Sequence, residues 1–100
     1  MKEKQVRIMY KEPFKEFEVR TVDNKIEVFQ ELVGGYIETV TLPYGVIMVC
    51  NEEGKIRDLH PNIAVGHDII RGNVLFIGFD GEEDFGSLTD IQEAWVRRNI

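Results

Sequence analysis

The residue types most capable of chemistry in this chain are gathered in one stretch, Cys50-Asn51-Glu52-Glu53-Gly54-Lys55, followed shortly by His60-Pro61-Asn62. A thiol and an imidazole this close raise a cysteine–histidine nucleophile, which needs an exposed thiol whose pKa is lowered by the imidazole or by a helix N-terminus. Cys50 instead closes the apolar run Val46-Ile47-Met48-Val49, and free cysteine is among the most buried residue types. Further along, Asp80, Glu82, Glu83 and Asp84 bring four carboxylates together. They lack the central glycine and the twelfth-position glutamate of an EF-hand, so they read as a solvated charged turn. Zinc needs about four ligands at suitable spacing, and one cysteine with His60 and His67 is poor material. Neither Gly34-Gly35 nor Gly78-Phe79-Asp80-Gly81 forms a phosphate-binding fingerprint. The sequence therefore predicts no catalytic residue, no metal and no cofactor.

What remains is a binding surface. Asn51, Glu52, Glu53 and Lys55 fall at the tip of an expected hairpin, with His60 and Asn62 in the loop after it and Arg71 beyond. Polar groups on loops at one end of a rigid sheet are a common ligand-holding arrangement. The structural alternative is that Asn51 bonds its own turn and Asn62 caps a short helix, since Asx side chains usually satisfy local backbone. A second candidate is the acidic segment Glu82, Glu83 and Asp84, which would face a basic partner. Tyr36, Tyr44 and Trp95 are the aromatic candidates for interface anchors, although Trp95 sits on a helical stripe and reads as core.

These residues are held by elements whose periodicity is legible. Val6, Ile8 and Tyr10 alternate with polar residues, as do Phe17, Val19 and Thr21, with the turn Lys11-Glu12-Pro13-Phe14 between them; this predicts an N-terminal hairpin. Asp23 is the expected cap of a helix of about ten residues with Ile26, Phe29, Leu32 and Val33 as its stripe, ended by Gly34-Gly35. Tyr36–Leu42 and Val46–Cys50, separated by Pro43-Tyr44-Gly45, form a second hairpin. Its second strand is apolar on both faces, which places it centrally. Residues 55–72, broken by Pro61, Gly66 and Gly72, read as an extension and loop with one helical turn near Asn62-Ile63-Ala64-Val65. Asn73–Phe79 makes a last strand and Asp80-Gly81 a turn. Ser87-Leu88-Thr89-Asp90 opens a C-terminal helix with Leu88, Ile91 and Trp95 inward. The expected fold is α+β, a mainly antiparallel sheet of about five strands in the order β-β-α-β-β-loop-β-α with two helices packed on it.

The chain of 100 residues suits a single globular domain spanning 1–100. Its composition, 43% hydrophobic and 30% charged, is that of a soluble globule. Its longest apolar runs fall far short of the roughly 20 residues that cross a bilayer. With no secretory pattern behind Met1 and a single cysteine, a cytoplasmic location is expected. The net charge of −6 is uneven: residues 1–35 hold seven basic and seven acidic side chains, and residues 36–100 hold five and eleven. Phosphate-backbone binding needs a basic stripe, so no direct nucleic-acid ligand is expected. An acidic face suits a basic protein surface instead, including one that normally holds nucleic acid. Edge strands also invite a homodimer.

Taken in order, Gly34-Gly35-Tyr36-Ile37-Glu38, Leu42-Pro43-Tyr44-Gly45, Cys50-Asn51-Glu52-Glu53-Gly54-Lys55, Pro61-Asn62, Asp68-Ile69-Ile70-Arg71-Gly72 and Glu83-Asp84-Phe85-Gly86-Ser87-Leu88-Thr89 carry a resemblance. Over roughly residues 16–95 the chain resembles the family known as domain of unknown function 3846. The resemblance implies small proteins scattered through Gram-positive bacteria, their phages and their conjugative elements. It brings no catalytic residues and implies an accessory protein of a mobile element. The leading expectation is thus a non-enzymatic protein that binds a host protein, as an inhibitor of a defence system such as CRISPR or restriction. The alternatives are a small-ligand or nucleotide-signal sponge using Asn51, Asn62 and Arg71, or an interaction domain of some other kind.

Overall fold

The computed structural model describes residues 3–79 and 84–100. Its elements run β1 (Gln5–Lys11), β2 (Glu18–Asp23), α1 (Ile26–Val33), β3 (Ile37–Thr41), β4 (Val46–Asn51), β5 (Pro61–Val65), β6 (Asp68–Arg71), β7 (Val74–Phe79), β8 (Phe85–Gly86) and α2 (Asp90–Asn99). The main sheet has the order β2-β1-β7-β4-β3, with the short β8 also pairing with β7, and every pairing is antiparallel. The molecule is an α+β protein built on that sheet. No helix among the described residues is long and apolar enough to cross a membrane.

The apolar run 46–50 is central, as its two-faced character requires. Side chains of a strand alternate between faces, and in β4 Ile47 and Val49 join one core cluster while Val46, Met48 and Cys50 join the other. In β7 Leu75 and Ile77 likewise oppose Val74 and Phe76. The first cluster is closed by α1 through Phe29 and Val33, with Val6, Ile8 and Tyr10 of β1 beneath them. The second is closed by α2 through Val96, by Leu88 just before it, and by Ile70 of β6. The two helices therefore lie on opposite faces of one sheet.

Four local expectations are corrected. Residues 61–71 form no helical turn or open loop; they are the hairpin β5–β6, a separate two-stranded sheet with Val65 paired to Asp68 across Gly66-His67. The reason is tertiary: Ile63, Val65 and Ile70 gain cover by turning onto the α2 face of the main sheet. Asp23 does not cap α1; it ends β2 and accepts from Gln5 Nε2, while the cap position is Lys25 with no side-chain bond. The helix does end at Gly34 in the left-handed conformation (φ 80°), as a glycine there allows. The α2 cap lies two residues later than expected. Thr89 and Gln92 form the capping box, because Ser87 is engaged elsewhere: its hydroxyl accepts from Arg7 N–H at 2.9 Å and donates to Glu3 Oε2 at 2.8 Å. Finally, the inward residue of α2 is Val96, and Ile91 is 79% exposed.

Candidate functional site

The turn that follows β4 begins at Asn51, which the fold buries. Its Nδ2 donates to the Val33 carbonyl at the end of α1 (3.1 Å), and its Oδ1 accepts from Glu53 N–H at 2.8 Å. Both ends of the amide are committed, one to closing α1 against β4 and one to shaping the turn. Asn62 is committed further still. It caps no helix; from β5 its Nδ2 donates to the Lys11 carbonyl (2.9 Å) and the Gly72 carbonyl (2.8 Å), while its Oδ1 accepts from Lys11 Nζ (2.6 Å). Arg71 donates to the Leu59 carbonyl at 3.1 Å and reaches Asp58. Lys55 pairs with Asp68, whose carboxyl is held below its ordinary pKa by that hydrogen bond. His60 stacks edge-on against Phe14, ring centroids 5.6 Å apart.

The structure does bring part of the expected polar set together. Cys50, Asn51, Glu52, Lys55 and Arg71 line a cleft of about 270 Å³ between the end of β4 and strand β6. The same cleft adds Glu38 and Asp68, which the sequence did not single out. Asn62 and His60 are not part of it, and His60 with Asn51 lines a different hollow over the α1 end, beside Phe14 and Arg57. Glu53 stays exposed on the turn. Asp84 is half-buried beside β8, and Glu82 and Glu83 lie outside the described residues.

Cys50 forms the floor of the cleft but is not poised as a nucleophile. The residue is 3% exposed, and its Sγ lies 3.7 Å from the Glu38 carbonyl and 3.9 Å from Glu38 Oε2. Burial first, and the Glu38 carboxylate second, push the thiol from 9.0 to about 11. A thiolate in the fold is thus disfavoured relative to the unfolded chain. The stability contribution is complete below pH 9 and is lost as pH rises through about 11, because over that window the unfolded thiol ionises first. The expected loss is about 2 kcal/mol, read as the difference in alkaline urea denaturation between the wild-type chain and Cys50→Ala. Native alkylation at pH 8 should be slow and become fast only on unfolding.

A second surface gathers around Tyr44 and Trp95, two of the three aromatic anchor candidates. Pro43–Gly45 is a 3₁₀ turn in which Tyr44 adopts a left-handed conformation, φ 64°, costly for an aromatic residue and commonest where a site demands it. Its carbonyl accepts from Gln92 Nε2 of α2 at 2.8 Å, and its ring packs edge-on against Trp95 with centroids 6.0 Å apart. Tyr44 is nonetheless 73% exposed. With Ile91, Ala94, Trp95 and Arg98 it frames a groove of about 300 Å³ on the outer side of α2. Trp95 is half-buried: one side rests on the cluster containing Val40 and Leu42, the other is in the groove. Tyr44 and Trp95 are aromatic candidates by residue type; the left-handed backbone of Tyr44 and its bond from Gln92 have no sequence signal beyond the Pro-X-Gly turn.

An antiparallel sheet covered on both faces, with a polar cleft at one end and an aromatic groove along one helix, defines a small α+β protein. The chain belongs to the Domain of unknown function (DUF3846) family, whose model matches residues 6–99, a wider span than the ordered motifs alone cover. Comparison with curated proteins and with solved structures finds no match to either.

Proposed function

We propose that the chain is a non-enzymatic protein-binding module whose docking surface centres on Tyr44 and Trp95. One observation carries this reading: Tyr44 is held in a strained conformation, propped by Gln92 and Trp95, yet leaves its ring exposed. Strain of this kind costs on the order of 1–3 kcal/mol; Phe14 shares the left-handed backbone (φ 66°), and Tyr44 is set apart by the groove it frames with Ile91, Trp95 and Arg98. Exposed aromatic side chains over an apolar groove with an arginine at its rim are the chemistry of interface anchors. Of the residues suited to holding a small ligand, Asn51 and Asn62 have their side-chain amides bonded within the fold and Arg71 has one guanidinium nitrogen so engaged, which favours a protein partner over a nucleotide-type ligand.

The proposal extends to the setting that the family resemblance implies: an accessory protein of a phage or mobile element that binds a host protein and inhibits a defence system. The acidic excess in residues 36–100 suits a basic host surface through long-range attraction. The test is affinity purification from a Gram-positive host lysate with the wild-type chain, Tyr44→Ala and Ile91→Lys, both changes at exposed positions. A host protein retained by wild type should lose about tenfold or more in affinity with Tyr44→Ala, as truncation of an aromatic hot spot does. Retention of no host protein above a tag-only control would sink the reading. Equal retention by both variants, with loss on charge reversal of Glu82, Glu83 and Asp84, would move the surface to the acidic segment.

A further inference from the structure

Strand β3 ends the sheet, and among the described residues nothing pairs with its outer side. Along an antiparallel pair, residues alternate between those that bond the neighbouring strand and those whose backbone groups turn away from it. Leu42 N–H donates to the Val46 carbonyl at 2.8 Å and Glu52 N–H to the Tyr36 carbonyl at 2.9 Å. With Glu38 opposite Cys50 and Val40 opposite Met48, these bonds assign Tyr36, Glu38, Val40 and Leu42 to the inward set. Ile37, Thr39 and Thr41 therefore turn their N–H and C=O groups outward, as an unfilled ladder.

The two edges of the sheet are unlike. On β2, Glu18, Arg20 and Asp23 supply charges, with an Arg20–Glu18 ion pair along the strand, and charge on an edge discourages strand addition. Strand β3 reads Ile-Glu-Thr-Val-Thr, four β-branched residues and one charge, a sequence that favours strand pairing. Its α2-side residues lead into two different surroundings. Glu38 lines the cleft beside Cys50 and Asp68; Lys55 is paired with Asp68, and among the described residues no cation lies within ion-pair distance of Glu38. Four residues on, about 13 Å along a strand, Leu42 packs in the cluster that includes Trp95, which Tyr44 borders.

We propose that β3 accepts an extended segment of the partner protein as the next strand of the sheet, with a lysine or arginine opposite Glu38 and a bulky apolar side chain four residues away against Tyr44 and Trp95. This rests on the protein-binding reading and supplies its occupant. Main-chain bonds to Ile37, Thr39 and Thr41 provide affinity independent of sequence, and the two side-chain positions provide selectivity. A second copy of this chain is the poorer occupant. Strand β3 has no basic residue, so no register of β3 against itself gives Glu38 a cation, and some registers set Glu38 against its own copy.

The experiment pans the full chain against a phage-displayed library of random octapeptides. Enriched peptides should carry a basic and a large apolar residue four positions apart among β-branched residues. Thr39→Pro removes an outward N–H of an edge strand and no bond to β4, a position where a strand tolerates proline. Binding of the lead peptide should fall about tenfold or more in Thr39→Pro and severalfold in Glu38→Gln. A readout that leaves the protein unaltered is N-methylation of alternate peptide amides, which should abolish binding in one alternation and spare it in the other. No enriched peptide, a lead bound equally by Thr39→Pro, indifference to N-methylation, or a concentration-dependent dimer abolished by Thr39→Pro would each overturn strand addition by a partner. A host protein retained equally by wild type and Thr39→Pro would remove strand addition while leaving docking at Tyr44 standing. Retention of none would remove the protein-binding reading itself.

Discussion

Alanine in place of Gly78 is expected to remove a large part of the stability of the fold. Gly78 is buried in β7, paired to Val46 of β4 on one side and Gly86 of β8 on the other. A Cβ there would lie 2.6 Å from the Ser87 carbonyl oxygen and 3.1 Å from that of Gly86. Both obstacles are backbone, so no rotamer change relieves the overlap. Relief requires β8 to move, and β8 leads directly into Leu88 and α2, which cover the second core cluster. The substitution thus couples an overlap to loss of packing around Val96 and Phe76. A cost of about 4 kcal/mol or more follows, a large part of a small domain's 5–15 kcal/mol. Thermal denaturation followed by circular dichroism should show a fall in Tm of roughly 20 °C or more. Gly66→Asn is the matched control: φ is 61° with open space around it, a conformation asparagine adopts at a cost below about 1 kcal/mol. Melting of Gly78→Ala within a few degrees of wild type would contradict the close approach of β7 and β8.

What could be read from sequence and what could not divide along one physical line. Patterns decided by a residue's own neighbours were legible. Val46–Cys50 is apolar on both faces and is buried on both; Gly34 ends α1 because no side chain obstructs its left-handed turn. Patterns decided by distant partners were not. Residues 61–71 lack clean alternation because only Ile63, Val65 and Ile70 find cover, and the cover lies on a sheet made from other segments. The glycine at the two-residue turn Gly66-His67 was the available hairpin signal, outweighed by Pro61, which in fact opens β5, where a proline is tolerated. Ser87 and Thr89 both suit a helix cap by type, and the choice fell to Thr89 only because Glu3 and Arg7 take the Ser87 hydroxyl. The candidate site follows the same rule. Cys50 reads as a packed thiol and is buried, and Asn51, a binding candidate whose structural alternative is turn formation, bonds its own turn, whereas Glu38 enters the cleft through strand pairing, and Tyr44 is strained where it contacts α2.

Asn62 is where that distinction has its largest measurable consequence among the proposed site residues. Its amide ties three separated segments: the end of β1 through Lys11, the start of β5, and the link from β6 to β7 through Gly72. Three hydrogen bonds converge on one side chain, one of them from an ammonium, and their removal leaves two backbone carbonyls without that donor. At roughly 1 kcal/mol for each neutral bond and more for the charged one, Asn62→Ala should cost about 3 kcal/mol, which in a domain of this size lowers Tm by roughly 10–20 °C. Asn62→Asp separates anchoring from charge. It keeps an acceptor for Lys11 Nζ but turns a carboxylate oxygen toward two carbonyls, so it should be no more stable than the alanine variant despite its near-identical shape. Hydrogen exchange should localise the damage, because β5–β6 is a two-stranded sheet of its own. Its amides should lose protection in both variants before those of β4 and β7, as expected for a unit that opens below the global unfolding energy. A ligand-binding role for Asn62 predicts the opposite pattern, near-wild-type stability with binding lost. The two variants therefore decide whether this residue serves the fold or a ligand.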